Sequence, residues 1–126
     1  MSIYILFTML FLHIADDYYM QGILAKLKQK TWWYDQPYLY HNDWKMALIE
    51  HAFSWTFMIL LPIAADTIIR GNLHNFYYLI AFVINMVIHA VVDNAKANLL
   101  KINLTTDQCI HIIQIIVTWL LYILIT

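Results

Sequence analysis

The sequence predicts an all-α integral membrane protein, a single domain built as a bundle of four transmembrane helices. Of its 126 residues, 63% are apolar and only 12% are charged, and the mean hydropathy is +0.63. A soluble domain is nearer half apolar and a quarter charged. The long apolar stretches lack the period-2 alternation of membrane β-strands, which favours helices. The net charge of -1 gives no basic surface for nucleic acid.

Each of the four helices is predicted from an apolar stretch and its boundaries. The first has no cationic segment before it and no small-residue cleavage site, so we expect it to be retained rather than removed as a signal peptide. Pro62 predicts a kink in the second. The third carries no charge between Arg70 and Asp93, and Thr105 is a plausible start for the fourth. The predicted helices are residues 2–30, 44–69, 73–100 and 105–126.

The connections predict how the helices are oriented. Residues 31–44 are aromatic and polar, which is typical of a segment at the level of the lipid head groups. If the helices alternate in direction, six lysines lie on one side and Arg70 lies alone on the other. The positive-inside rule then places both termini outside, which in the inner membrane of a bacterium means the periplasm. The lysines are Lys26, Lys28, Lys30, Lys45, Lys96 and Lys101.

Polar side chains recur at helical spacing inside these apolar stretches. Steps of three or four residues keep them on one stripe of each helix. Because alternate helices run in opposite directions, all the stripes fall in the cytoplasmic half of the bundle, and we predict that they converge on one site. In chain order they are His13, Asp17 and Gln21; His51; Asn85, His89, Asp93 and Lys96; and Asp107, His111 and Gln114.

The carboxylates in these stripes predict a bound cation. Placing an aspartate at the bilayer centre costs roughly 2.5 to 3.5 kcal/mol of free energy. The stripes contain three, Asp17, Asp93 and Asp107, and Lys96 can neutralise only one of them. Imidazole and carboxylate together are ligands for zinc, manganese and iron. We expect one or two divalent ions, zinc before manganese or iron. The predicted ligands are His13, Asp17, His51, His89, Asp93, Asp107 and His111.

Three sequence runs carry a resemblance to a known family. HIADDYYMQ at 13–21, HAVVDNAK at 89–96 and DQCIH at 107–111 resemble the H-x-x-x-D-x-x-x-Q, H-x-x-x-D-x-x-K and D-Q-x-x-H signatures of the small bacterial and phage membrane proteins called domain of unknown function 3307. His51 falls where that family has a histidine in its second helix. The pattern is similar to that of predicted membrane-bound metal-dependent hydrolases, and the short chain would suit a phage-encoded member.

Two classes of function follow from this pattern. The first is a metal-dependent hydrolase acting on a lipid or lipid-linked phosphoester at the cytoplasmic side, with metal-bound water attacking the ester. Lys96 would offset the charge of the phosphate, while Gln21 and Gln108 would hydrogen-bond to ligands or substrate. The alternative is a non-catalytic protein, metal-stabilised or proton-linked, such as a phage factor that binds a host membrane component. Di-iron chemistry ranks last because the chain has no Glu-x-x-His pair.

The same residues also have purely structural interpretations. The histidines and aspartates could form a hydrogen-bonded polar core with Lys96 and no metal, and the Lys96 ammonium could instead extend to the interface. We expect Asn85 to orient ligands, and Asp16 either to orient ligands or to be solvated. Without a small-xxx-small glycine motif the sequence leaves a homo-oligomer open. Outside the site, we expect Glu50 to be solvated, His41 and His74 to lie at the surface, and the Cys109 thiol to be buried and inert.

Overall fold

The chain is helical throughout the part that the structure describes. The structure is a computed structural model, and it describes residues 2–71 and 75–126. Within these ranges there is no β-strand, which confirms the all-α prediction. The helices are α1 (Ser2–Ile14), which continues as a π-helical turn over Ala15–Met20, α2 (Leu24–Leu27), α3 (Lys30–Tyr34), α4 (Trp44–Arg70), α5 (Asn75–Ala97) and α6 (Leu104–Ile125).

The four long helices pack in a ring. α1 contacts α4 and α6, and α5 contacts the same two helices from the other side. Neighbours in this ring run in opposite directions: Lys96 near the end of α5 meets Asp107 at the start of α6, while Tyr77 near the start of α5 donates to Thr118 near the end of α6. The apolar core inside the ring is formed by Ile5, Met9, Trp55, Ile59, Leu60, Ile63, Ala81, Ile115 and Tyr122.

Three of these helices are long and apolar enough to cross a membrane, namely Trp44–Arg70, Phe76–Ala97 and Leu104–Ile125. Their outer faces carry large apolar side chains, among them Phe57, Val83 and Leu120. Contiguous apolar surface of this kind is unfavourable in water and is suited to lipid tails. Length, composition and exposed surface therefore support a membrane protein.

The first predicted helix ends earlier than expected. The amide of Gln21 donates to the Asp16 carbonyl, five residues back, and Gly22 then adopts a left-handed φ of +49° that stops the helix. Asn98 holds the following segment against the end of α5, because its side chain accepts from the Lys30 amide at 2.7 Å and donates to the Lys28 carbonyl at 3.1 Å. The prediction of one continuous helix over residues 2–30 is therefore wrong beyond Met20.

Other boundaries and one thiol also differ from expectation. α6 begins at Leu104 because Asn103 caps it, accepting from the Thr106 amide at 2.8 Å, so Thr105 lies inside the helix. Pro62 lies within α4. Cys109 is exposed, so the prediction of a buried thiol is wrong. It lies two residues after the buried Asp107, about 200° around the helix, and so faces outward.

Candidate metal centre

All seven predicted ligands meet in one half of the bundle. Each is buried, with between 0% and 6% of its surface exposed. They come from the end of α1 and its π-helical turn, the start of α4, the end of α5 and the start of α6. We call them the histidine–aspartate cluster: His13, Asp17, His51, His89, Asp93, Asp107 and His111.

His51 occupies the centre of this cluster. Its Nε2 lies 3.3 Å from Asp17 Oδ1, 3.3 Å from Asp93 Oδ2 and 3.1 Å from His89 Nε2. Its Nδ1 faces Asp16 Oδ2 at 4.0 Å. At this distance the two atoms do not form a hydrogen bond.

His111 extends the same group on the α6 side. Its Nε2 lies 3.5 Å from Asp93 Oδ1 and 3.5 Å from Asp107 Oδ1. The Nε2 of His89 is 3.8 Å from Asp93 Oδ2, so His89 borders both sides of the cluster. Two sets of ligands among the described residues could hold a metal ion, and they share this histidine: Asp17, His51 and His89; and His89, Asp93 and His111.

The spacing of these atoms suits ligands of one ion. Two atoms that each bind a metal at about 2.1 Å, at an angle of about 90° to 109°, lie roughly 3.0 to 3.4 Å apart. The separations from His51 Nε2 to Asp17, Asp93 and His89 are 3.1 to 3.3 Å. The Nε2 of His89 borders both sets, so this atom could be a ligand in either one.

Several of these atoms have no other partner. Among the described residues, Asp17 Oδ1, Asp93 Oδ1 and His111 Nε2 are buried and make no hydrogen bond. Buried polar atoms in folded proteins are nearly always hydrogen-bonded, because an unsatisfied one costs about 1 to 3 kcal/mol. These atoms belong to residues of the two ligand sets, where a bound cation would satisfy them.

His13 has a different environment from the other three histidines. Trp55 Nε1 donates to His13 Nδ1 at 2.8 Å, so the proton on the ring lies at Nε2, which contacts Gln108 Oε1 at 3.1 Å. Both ring nitrogens are thereby engaged with protein. His13 lies beside the ligand sets rather than in either of them.

Trp55 is a site residue that sequence reasoning missed. Its ring stacks on His89, with centroids 4.1 Å apart and planes 17° from parallel. It lies one helical turn after His51 on α4, which was the available signal. The indole thus fixes His89 by stacking and His13 by its hydrogen bond.

Lys28 was also missed as a site residue. It is buried, with 6% of its surface exposed, and its Nζ donates to Asp93 Oδ2 at 2.5 Å. Lys96, which was predicted, contacts Asp107 Oδ2 at 2.6 Å. This contact agrees with the expectation that Lys96 neutralises one aspartate. Lys28 reaches the cluster from the segment after Gly22, where sequence periodicity carries no information.

The π-helical turn places two consecutive aspartates inside the bundle. Neighbouring residues on an α-helix point about 100° apart, yet Asp16 and Asp17 are both buried. The wider turn lets Asp16 accept from Ser54 Oγ at 2.7 Å while Asp17 faces His51. Asp16 is therefore held by protein, and of its two predicted roles the solvated one is wrong.

The predicted glutamines line the cluster on one side. Gln108 Nε2 donates to Asp107 at 3.0 Å and to Asp17 at 3.3 Å. Gln21 donates to the backbone carbonyl of Asp17. Asn85, by contrast, bonds to Gln114 and Thr118 deeper between α5 and α6, so none of its hydrogen bonds reaches a cluster residue.

The residues predicted to lie outside the site can be placed as follows. Glu50 and His41 are exposed, in agreement with the predictions. The His41 ring contacts the Tyr34 ring, with centroids 5.1 Å apart. His74 lies outside the described residues.

The site carries excess negative charge when its histidines are neutral. With neutral histidines, four carboxylates and two ammonium groups leave a net charge of -2. One divalent ion would cancel it. The carboxylates belong to Asp16, Asp17, Asp93 and Asp107, and the ammonium groups belong to Lys28 and Lys96.

The opposite half of the bundle also buries a carboxylate, which sequence reasoning missed. Asp66 accepts from the Tyr122 hydroxyl at 2.6 Å and from Arg70 Nε at 2.8 Å. Arg70 is four residues after Asp66, a spacing visible in the sequence. The polar stripes predicted from the sequence all lie in the other half of the bundle, so this group of three is an addition to them.

Comparison with protein-family models, with curated proteins and with solved structures finds no match to this chain. The resemblance to domain of unknown function 3307 therefore stays a prediction. Inferences about function rest on the geometry of the cluster.

Proposed function

We propose that this protein is a four-helix membrane protein that binds one divalent metal ion in the histidine–aspartate cluster and hydrolyses a lipid or lipid-linked phosphoester. The observation that carries the proposal is the presence of buried ligand atoms without a hydrogen bond in the two ligand sets, in a site whose net charge is -2 when the histidines are neutral. A dense set of imidazole and carboxylate groups is the ligand set of zinc, manganese and iron sites.

The proposed fourth span is α1 with its π-helical turn. Its 13 α-helical and 6 π-helical residues extend about 28 Å at about 1.5 Å per residue, close to the roughly 30 Å hydrocarbon core. The cluster shares its end of the bundle with most of the lysines, whereas Arg70 lies at the other end. The positive-inside rule supports a cytoplasmic cluster in a bacterial inner membrane, with both termini periplasmic.

The residues around the cluster have definite parts in this chemistry. A divalent ion in such a site supplies a Lewis acid and activates water at neutral pH. His51, His89, His111, Asp17 and Asp93 would hold the ion. Lys96 would offset charge on the phosphate, and Gln108, which contacts both Asp17 and Asp107, would orient the carboxylates.

The test is phosphate release from phosphatidic acid, a phosphomonoester, and head-group release from phosphatidylglycerol, a phosphodiester, with zinc, manganese or iron added in turn. Asp93→Asn removes a ligand charge at the centre of the cluster, and we expect turnover to fall to background. Asp66→Asn is the matched control, because it alters a buried carboxylate in the opposite half, and we expect it to keep wild-type turnover.

The outcome separates the two classes of function. Turnover retained by Asp93→Asn would contradict the hydrolase proposal. A wild-type protein that binds metal but cleaves neither lipid would instead support the non-catalytic alternative, in which the ion stabilises a membrane protein that binds another membrane component.

A further inference from the structure

Two cavities of contrasting character meet beside the cluster. One has a volume of about 130 Å³ and is polar, with Asp17, Lys28, Lys96 and Gln21 in its wall. The other, about 600 Å³, is an apolar groove beside α1 and α6, with Leu10, Ile14 and Ile112 in its wall. Tyr18 and Gln108 line both. The cavities therefore adjoin each other along this pair of residues.

The polar cavity has the groups that recognise phosphate. An ammonium group carries three donors, and the hydrogen bonds of Lys28 to Asp93 and of Lys96 to Asp107 use one each. The remaining N–H groups are free to bind an anion. Gln21 Oε1 is buried without a hydrogen bond among the described residues, so it can accept from a hydroxyl of the same ligand.

The groove has the character of a site for a hydrocarbon chain. Ile14 and Ile112 are 48% and 39% exposed on the outer face of the helices, where lipid tails would surround them. His13 and Gln108 form its inner end, next to the cluster. A ligand lying across Tyr18 and Gln108 would have an apolar part toward the bilayer and an anionic part at the lysines.

We propose that the two cavities form one site for a membrane lipid with a phosphate head group. The phosphate lies between Lys28 and Lys96, and an acyl chain lies in the groove against Ile14 and Ile112. The inference rests on the proposed function in placing this phosphate beside the metal ligands. It adds the residues that bind each part of the lipid and the side from which the lipid arrives.

The experiment measures retention of phosphatidic acid by the detergent-purified protein with native mass spectrometry, with and without added zinc. Ile112→Trp fills the groove, and Ile14→Trp fills it from α1 and serves as a second variant in case the first fails to fold. We expect each to weaken lipid retention about tenfold, whereas Leu120→Trp, at another outward position of α6, changes it less than about twofold.

The part of the site that binds the head group is tested with Lys96→Gln, for which we expect lipid retention to fall about tenfold. The control is Lys101→Gln, at an exposed lysine, for which we expect lipid retention to change less than about twofold.

Equal lipid retention by Ile112→Trp, Ile14→Trp and Leu120→Trp would overturn the proposal. So would equal retention of zwitterionic phosphatidylcholine, or competition by soluble glycerol 3-phosphate at equal concentration. If the protein retains the lipid without metal but cleaves no lipid, the lipid site is supported and the hydrolase proposal fails. If the protein cleaves only soluble phosphoesters, hydrolysis is supported and the lipid site fails.

Discussion

The two halves of the bundle both bury carboxylate groups, but they compensate them differently. Asp66 in one half has Tyr122 and Arg70 as partners, and neither of its oxygens is a buried atom lacking a hydrogen bond. In the other half, Asp17 and Asp93 each have an oxygen with no hydrogen bond. A buried carboxylate is therefore a poor indicator of a ligand site by itself. Excess charge together with convergent, unsatisfied atoms is the stronger indicator.

Among variants that alter the partners of the buried carboxylates, we expect the largest loss of stability from substitution of Lys28. Lys28→Met leaves the Asp93 carboxylate without its ammonium partner at 2.5 Å, and removing one member of a buried ion pair costs about 3 kcal/mol or more. We expect this loss in the free energy of unfolding of the metal-free protein, measured by circular dichroism during titration with denaturing detergent.

Lys26→Met is the matched control for this variant. Lys26 is exposed and only two residues away, so we expect a change within about 0.5 kcal/mol. Equal stability of the two variants would mean that Asp93 does not need Lys28. The account of Lys28 as the group that stabilises the buried Asp93 carboxylate would then be wrong.

A smaller effect is expected in the opposite half. Tyr122→Phe removes the hydrogen bond to Asp66 at 2.6 Å, while Arg70 still neutralises the carboxylate. We expect a loss of about 1 to 2 kcal/mol in the free energy of unfolding and no change in metal content. Tyr78→Phe, at a half-buried tyrosine on α5, controls for the loss of a hydroxyl. A changed metal content in Tyr122→Phe would show that the halves are coupled.

The predictable part of this molecule is the part governed by helical periodicity. Steps of three and four residues placed His89 and Asp93 on one face, and alternation of helix direction brought them to His51 and His111. The lengths of the apolar stretches predicted four transmembrane helices, and three helices among the described residues are long and apolar enough to span a membrane. Regular geometry repeats along a helix, so spacing alone is sufficient there.

The unpredicted part depends on departures from regular geometry and on tertiary contacts. The π-helical turn that buries both Asp16 and Asp17 has no periodic signature. Lys28 reaches Asp93 only because Gly22 stops the helix and Asn98 holds the next segment in place. The hydrogen bond between Asp66 and Tyr122 joins residues 56 positions apart, and no local sequence pattern predicts such a contact.

The most direct test of the central claim is elemental mass spectrometry of the detergent-purified protein prepared without chelators. The wild type is compared with the His89→Ala, Asp93→Ala double variant and with Asp66→Asn as the control from the opposite half. The account predicts about one divalent transition-metal ion per chain in the wild type and in Asp66→Asn, and none in the double variant. Metal absent from all three proteins after addition of zinc, manganese and iron would contradict it, and would show that the cluster is a hydrogen-bonded polar core.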